Sequence, residues 1–272
     1  MALLIALFIV LVGGAVTAAI LLVRSGRSVS IGGPSAWGRA ATQRFGRIGG
    51  PVFVFLTGWI ATFAVGLALG FLAKATQSGL DEPVFRWVHG HVKANHFTTL
   101  NEKLTLTGNT PTIELVCLFA GVLLAIAYGR RAWWFPVIGI VVFFFTERYI
   151  QKYLGTIVDR GHPPTTHGTY PSGGVCRILG VYGGILALAI ALFPLLRRSW
   201  RNGLWAGLII TAVVECYTRV YLSLHWFTDA LFALPVGTLM LLTNLAAVGA
   251  LDPLTSRAPT HANPAAREPA PA

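Results

Sequence analysis

Residues 218–229, TRVYLSLHWFTD, place an arginine, a histidine and an aspartate inside an otherwise greasy stretch. Ionisable groups at membrane depth cost ~2.5–3.5 kcal/mol each on insertion scales, so they persist where they line a polar cavity or a reaction site. His225 and Asp229 are four residues apart. On a helix that starts near His225 they stack on one face, and the carboxylate holds the imidazole by one ring nitrogen. The other nitrogen is then free to attack phosphorus. Arg219 lies at the end of the preceding apolar run, and Glu215, four residues before it, either orients it or neutralises it.

Composition sets the class around that stretch. The 272-residue chain is 54% hydrophobic and only 11% charged, with a mean hydropathy of +0.66. It has too little polar surface for a soluble domain and carries repeated apolar runs near bilayer length, longer than barrel strands. The pattern predicts an all-α, polytopic membrane protein with seven spans, at 2–24, 51–73, 110–128, 132–151, 177–196, 203–223 and 227–249. The domain reading is an N-terminal transmembrane helix over 1–24, a basic cytoplasmic linker over 25–50 and a six-helix membrane domain over 51–250. A disordered Pro/Ala-rich tail follows over 251–272. The first apolar run is long, has no basic residues before it and is followed by them, which favours an uncleaved span over a signal peptide.

Basic residues set the orientation. Arg27, Arg39, Arg44 and Arg47, then Arg130 and Arg131, then Arg197, Arg198 and Arg201 fall on one side if the spans alternate, and that side is cytoplasmic. The net charge of +11 is thus a topology signal split among short loops, with some affinity for anionic lipid, and not a nucleic-acid footprint. The segment 154–176 and the turn 224–227 both emerge on the outer face, where they can meet.

The first of these regions reads ERYIQKYLGTIVDRGHPPTTHGTYPSGGVCR, residues 147–177. Arg148 and Lys152 are one helical turn apart at the membrane boundary. Ser172, Gly173 and Gly174 then lead into the fifth span, a turn whose free backbone N–H groups and helix N-terminus suit an anion. Cys117, Cys176 and Cys216 lack metal-ligand spacing and read as small apolar-site residues. His89, His91 and His96 in the outer loop 77–111 have only Asp81 and Glu82 nearby, and no metal site is read there. Glu114 and Glu147 either belong to the site or pair with a neighbouring base, and the tryptophans near span ends read as interfacial anchors.

With these residues in view, the chain resembles the type 2 phosphatidic acid phosphatases, the lipid phosphate phosphatase superfamily. Arg219-x5-His225-x3-Asp229, preceded by Thr218, is similar to the family's third signature, Ser-Arg-x5-His-x3-Asp. Tyr170-Pro171-Ser172-Gly173 is similar to the second, Pro-Ser-Gly-His, and the stretch from Lys152 to Pro163 to the first, Lys-x6-Arg-Pro. Residues 79–110, GLDEPVFRWVHGHVKANHFTTLNEKLTLTGNT, resemble the family's loop between early core helices. The resemblance covers roughly residues 50–250. It implies a six-helix core with an outer-face site, His225 as the nucleophile that forms a phosphohistidine and Asp229 as its orienting partner. It further implies phosphate held by Lys152, Arg160, Ser172, Gly173 and Arg219, with no metal and no cofactor, because fixed charge and backbone donors stabilise the transition state.

Two departures stand beside the match. Gly174 replaces the second-motif histidine that protonates the leaving group, and losing such an acid costs ~10²–10⁴ in rate. In the first motif, His162 stands at the family's final arginine and Gly155 at its lysine, with Lys152 one helical turn earlier. The expected function is hydrolysis of a lipid phosphate or isoprenoid diphosphate at the outer face of the plasma membrane of a bacterium, with His162 or His167 as candidate substitute acids. The alternatives are a catalytically impaired relative that binds a phosphorylated lipid or a partner protein, and a lipid phosphotransferase.

Overall fold

In the computed structural model of the chain, the described residues are 36–249, apart from 93, 167, 194 and 195. The expected span 2–24, residues 25–35 of the linker and the tail from 251 therefore lie outside the described residues, as does His167.

Helix α1, Ala36–Thr76, begins inside the segment expected as a linker. Gly46 interrupts it at φ 78°, a left-handed backbone that glycine reaches without steric cost, so a short basic helix is set off from the apolar one that follows. The chain leaves α1 through a π turn, Gln77–Asp81, and the connection that follows folds into two short helices. These are α2, Glu82–His91, with Pro83 in its first turn, and α3, His96–Leu104, capped by Asn95, whose side chain accepts from Thr98 N at 2.9 Å. A 3₁₀ turn, Thr105–Gly108, leads into α4, Thr110–Tyr128.

Four further long helices complete the described chain. They are α5, Trp134–Val158, α6, Gly173–Ala191, α7, Arg198–Tyr221, and α8, Phe227–Gly249. Helix α6 contains a π turn at Ile178–Tyr182. Among the described residues, five helical stretches are long and apolar enough to cross a membrane: Ile48–His91, Thr110–Tyr128, Gly173–Ala191, Arg198–Tyr221 and Phe227–Gly249. Helix α5 is about 37 Å long and less apolar, because its second half carries Glu147, Arg148 and Lys152. It runs seven residues beyond the expected end at 151. Helix α6 begins at the Ser-Gly-Gly turn itself, four residues before the expected start at 177. The protein is thus an all-α, multi-pass membrane protein.

The core beneath the ends of these helices that carry residues 159–172 and 222–226 follows helical spacing. Ile150, Leu154 and Val158 of α5 meet Cys176 and Leu179 of α6, Ala212, Cys216 and Val220 of α7, and Ala233, Val236 and Met240 of α8. Leu115, Leu118, Phe119, Val122 and Ile126 of α4 point outward, as lipid-facing side chains do. Lys74 donates to the carbonyls of Val158 and Asp159 at 3.0 and 2.8 Å, which satisfies the end of α5 and ties it to α1. Arg130 and Arg131 before α5, and Arg197 at the start of α7, lie at the far ends of those helices from 159–172 and 222–226. The two polar connections therefore share one end of the bundle.

Candidate active site

His225 stands on the turn between α7 and α8 rather than in the first turn of α8, which starts at Phe227. The turn folds back on Arg219, whose carbonyl accepts from Leu224 N at 2.9 Å and His225 N at 3.3 Å. Ser223 takes φ 57° to make that reversal. His225 Nδ1 lies 3.7 Å from Asp229 Oδ2, an ion-pair distance just outside hydrogen-bond reach. Asp229 Oδ2 also accepts from Trp226 N at 3.3 Å. Gly168 packs on the imidazole: a Cβ there would sit 3.0 Å from His225 Nδ1.

Behind this pair is a buried cluster that local spacing could not reveal. Asp81, from the π turn after α1, is ion-paired with Arg160. Asp81 also accepts from Thr228 N at 2.8 Å and Thr228 Oγ1 at 2.7 Å. Arg160 Nη1 donates to Thr228 Oγ1 at 2.7 Å and lies 3.6 Å from Asp229 Oδ1. Asp81 is fully buried and holds the start of α8, where a carboxylate also complements the helix dipole. Arg160, expected to cradle phosphate, is committed instead to Asp81, Thr228 and Asp229.

The Ser-Gly-Gly turn forms an anion-ready corner beside His225. Ser172 N donates to the Asp229 carbonyl at 3.1 Å, which locks the start of α6 to α8. Ser172 Oγ is buried with no hydrogen-bond partner. Helix geometry leaves the amides of Gly173 and Gly174 without intrahelical acceptors, and the positive end of the helix dipole points the same way.

Arg219 closes the opposite side. Its Nε donates to Glu215 Oε1 at 2.6 Å, and its Nη2 donates to Asn109 Oδ1 at 2.8 Å and to the Thr105 carbonyl at 3.3 Å. The 3₁₀ turn is held further by Arg177 Nη1, which donates to the Gly108 carbonyl at 2.9 Å, and by Tyr182 Oη, which donates to the Thr107 carbonyl at 2.8 Å. Gly174 sits against this assembly with no space for a side chain. A Cβ there would lie 2.4 Å from Glu215 Oε1 and 2.7 Å from Arg219 Nη2, and a Cβ on Gly108 would lie 2.8 Å from Gly174 Cα. The missing histidine and the glycine-bearing turn are thus one packing solution.

The structure brings His225, Asp229, Arg160, Ser172, Gly173 and Arg219 to one corner, but not all the expected residues. Lys152 is exposed, roughly 200° around α5 from the buried face of Ile150, Leu154 and Val158. The continuation of α5 therefore turns Lys152 away, and it is Gln151, the preceding residue, that packs against Gly173. His162 is exposed, with Nδ1 2.9 Å from the Pro163 carbonyl. Glu147 pairs with Arg177 at 3.4 Å, and Glu114 with Arg148 at 3.9 Å on the exposed surface. His89 and His91 stack on Phe85 and Trp87. An apolar cavity of about 490 Å³ between α4 and α5, lined by Leu118, Val122, Trp133 and Phe144, contains none of the site residues.

No family model and no curated protein matches the chain. Among solved structures, it is similar to the crystal structure of the first transmembrane PAP2 type phosphatidylglycerolphosphate phosphatase from Bacillus subtilis. The TM-score is 0.56 and the identity 23%, over 67% of this chain and 92% of that one. The likeness is one of fold, and it is the fold that the sequence resemblance implied.

Proposed function

We propose that this chain, folded like a transmembrane PAP2-type phosphatase, hydrolyses a phosphorylated lipid at the outer membrane face through a phosphohistidine on His225. The observation that carries this reading is the meeting of the His225–Asp229 pair with the unpartnered Ser172 hydroxyl at the start of α6. The ring nitrogen of His225 turned away from Asp229 attacks phosphorus, and the bond from phosphorus to the lipid oxygen breaks. Asp229 fixes the imidazole and stabilises its positive charge. Ser172 Oγ, the amides of Gly173 and Gly174, and Arg219 donate to the phosphoryl oxygens as charge develops on them. Water then takes the phosphoryl group from His225 and releases phosphate. Arg160 acts from behind, holding Asp229. The outer-face placement rests on the basic residues at the opposite end of the bundle.

With no imidazole at position 174, a lipid or isoprenoid diphosphate suits the site, because a lipid monophosphate leaves as a weaker base than an alkoxide. The test is phosphate release by the detergent-purified protein from phosphatidic acid, phosphatidylglycerol phosphate and isoprenyl mono- and diphosphates. His225→Ala is expected to lower release by more than ~10³-fold. Release that survives in that variant would overturn the histidine mechanism.

A second reading, a relative that binds phosphorylated lipid without turning it over, draws on one specific feature. Each buried guanidinium already faces a carboxylate: Arg160 faces Asp81, Arg177 faces Glu147 and Arg219 faces Glu215. No release from any substrate, together with binding to vesicles containing phosphatidic acid, would favour it.

A further inference from the structure

A lipid alkoxide is a strong base, so its departure from phosphorus needs a proton, and neither Gly174 nor exposed His162 supplies one at the site. Among the described residues, the buried carboxyl groups are the remaining sources. Asp81 is bonded at both oxygens to Thr228 and Arg160. Asp229 is engaged with His225, Trp226 N and Arg160 on the nucleophile side. Glu147 pairs with Arg177 one helical turn of α5 before Gln151, the residue of that helix that reaches Gly173.

Glu147 Oε1 and Asp229 Oδ1, like Glu215 Oε2, are buried without a hydrogen-bond partner, and Glu215 is set apart by its place against Gly174. Its Oε1 accepts from Arg219 Nε at 2.6 Å and from Thr105 Oγ1 at 3.3 Å. Its Oε2 is buried with no hydrogen-bond partner. The same carboxyl lies 2.4 Å from where a side chain on Gly174 would begin, so it fills the space that a side chain at that position would take. It also adjoins the amides at the start of α6 and the guanidinium that would hold phosphate. A buried carboxyl with one oxygen tied down and the other unpaired has a natural place for a proton. A bound phosphate anion would favour that protonated form further.

We infer that Glu215 is the proton donor to the leaving group, acting from α7 in the place left open by Gly174. The inference rests on the hydrolase reading above and widens its substrate class from lipid diphosphates to lipid monophosphate esters. In the first step the His225 nitrogen bonds to phosphorus, the phosphorus–oxygen bond to the lipid breaks, and the Glu215 proton passes to that oxygen to give the lipid alcohol. In the second step Glu215 carboxylate takes a proton from water, the water oxygen bonds to phosphorus, the bond to His225 breaks and phosphate leaves. Glu215 is protonated again. The groups that face it are Arg219 on its own helix, Arg177 and Tyr182 on α6, and Thr105 on the 3₁₀ turn.

Glu215→Gln tests the assignment, because the amide keeps an oxygen for Arg219 and loses only the acid. Phosphatidic acid hydrolysis is expected to fall ~10²–10⁴-fold, and the high-pH limb of its rate profile to disappear. The first-turnover burst of p-nitrophenol from p-nitrophenyl phosphate, whose leaving group needs no proton, is expected to change less than about threefold on the same principle. Equal loss on both substrates would make Glu215 a positioning residue for Arg219 and overturn the inference, as would no loss on either. If the variant does not fold, a leaving-group series on the unmodified protein decides the question. A shallow dependence of rate on leaving-group basicity is expected, and a steep one overturns the inference. Failure of the hydrolase reading is distinct, since the unmodified protein then releases phosphate from neither substrate.

Discussion

Two of the buried carboxylates that face an arginine, Asp81 and Glu215, are completed differently. Asp81 is satisfied at both oxygens, by Thr228 N, Thr228 Oγ1 and Arg160. Glu215 has Oε1 bonded to Arg219 and Thr105 while Oε2 has no partner. A fully satisfied buried acid is a structural joint, here one that fastens the π turn after α1 to the loop after α5 and the start of α8. A half-satisfied one next to an anion-ready helix start is where a proton can come and go. An unpaired buried oxygen destabilises a fold, so it persists where function uses it.

The comparison is broken most directly at the joint. Asp81→Ala takes the nearest carboxylate from the buried Arg160 guanidinium, leaving only Asp229 at 3.6 Å, and the expected loss is about 3–5 kcal/mol, read as a lowered thermal midpoint in detergent. Glu215→Gln keeps the bond to Arg219 and is expected to cost less than about 1.5 kcal/mol. Equal destabilisation by the two variants would erase the distinction between joint and acid.

Gly174→Ala comes next. Its new Cβ meets Glu215 and Arg219, and overpacking of this kind costs about 1–3 kcal/mol. Gly203, which has nothing within 4 Å of a Cβ and lies in α7, is the matched control. Gly203→Ala is expected to be neutral or slightly stabilising by the same thermal measurement. If Gly174→Ala is equally harmless, the packing of Gly174 against the Glu215 carboxyl is wrong. The smallest effect belongs to Lys152→Ala, on the outward face of α5, with a stability change within about 0.5 kcal/mol and phosphate release unchanged. A large loss of release there would put Lys152 back in the site and redraw its boundary.

Much of this was legible in one dimension because it is local. The apolar runs give helices α4 to α8 with their ends placed within seven residues, since a chain in lipid must satisfy its backbone within each span. The i,i+4 relation of Glu215 to Arg219 is fixed by helical pitch, that of His225 to Asp229 by the turn that leads into α8, and both pairs meet in the structure. Lys152, expected at the phosphate, is exposed in the structure, because its direction depends on which way the end of α5 faces. The continuation of that helix to Val158, which decides this, is set by packing against α1 and the loop 159–172. Asp81 carried no local signal at all, since its partners Arg160 and Thr228 lie 79 and 147 residues away.

By itself, then, the sequence determined a helical membrane protein with a histidine, an aspartate and a Ser-Gly-Gly turn at one end of its bundle, because hydropathy and helical pitch act over a few residues. Only the tertiary structure decided that Arg160 is held by Asp81, that the turn Thr105–Gly108 packs on Gly174, and that Glu215 meets Gly174 with Oε1 while its Oε2 stays unpaired. Each of these is a contact between distant segments, made when burial forces polar groups to find partners wherever the fold brings them.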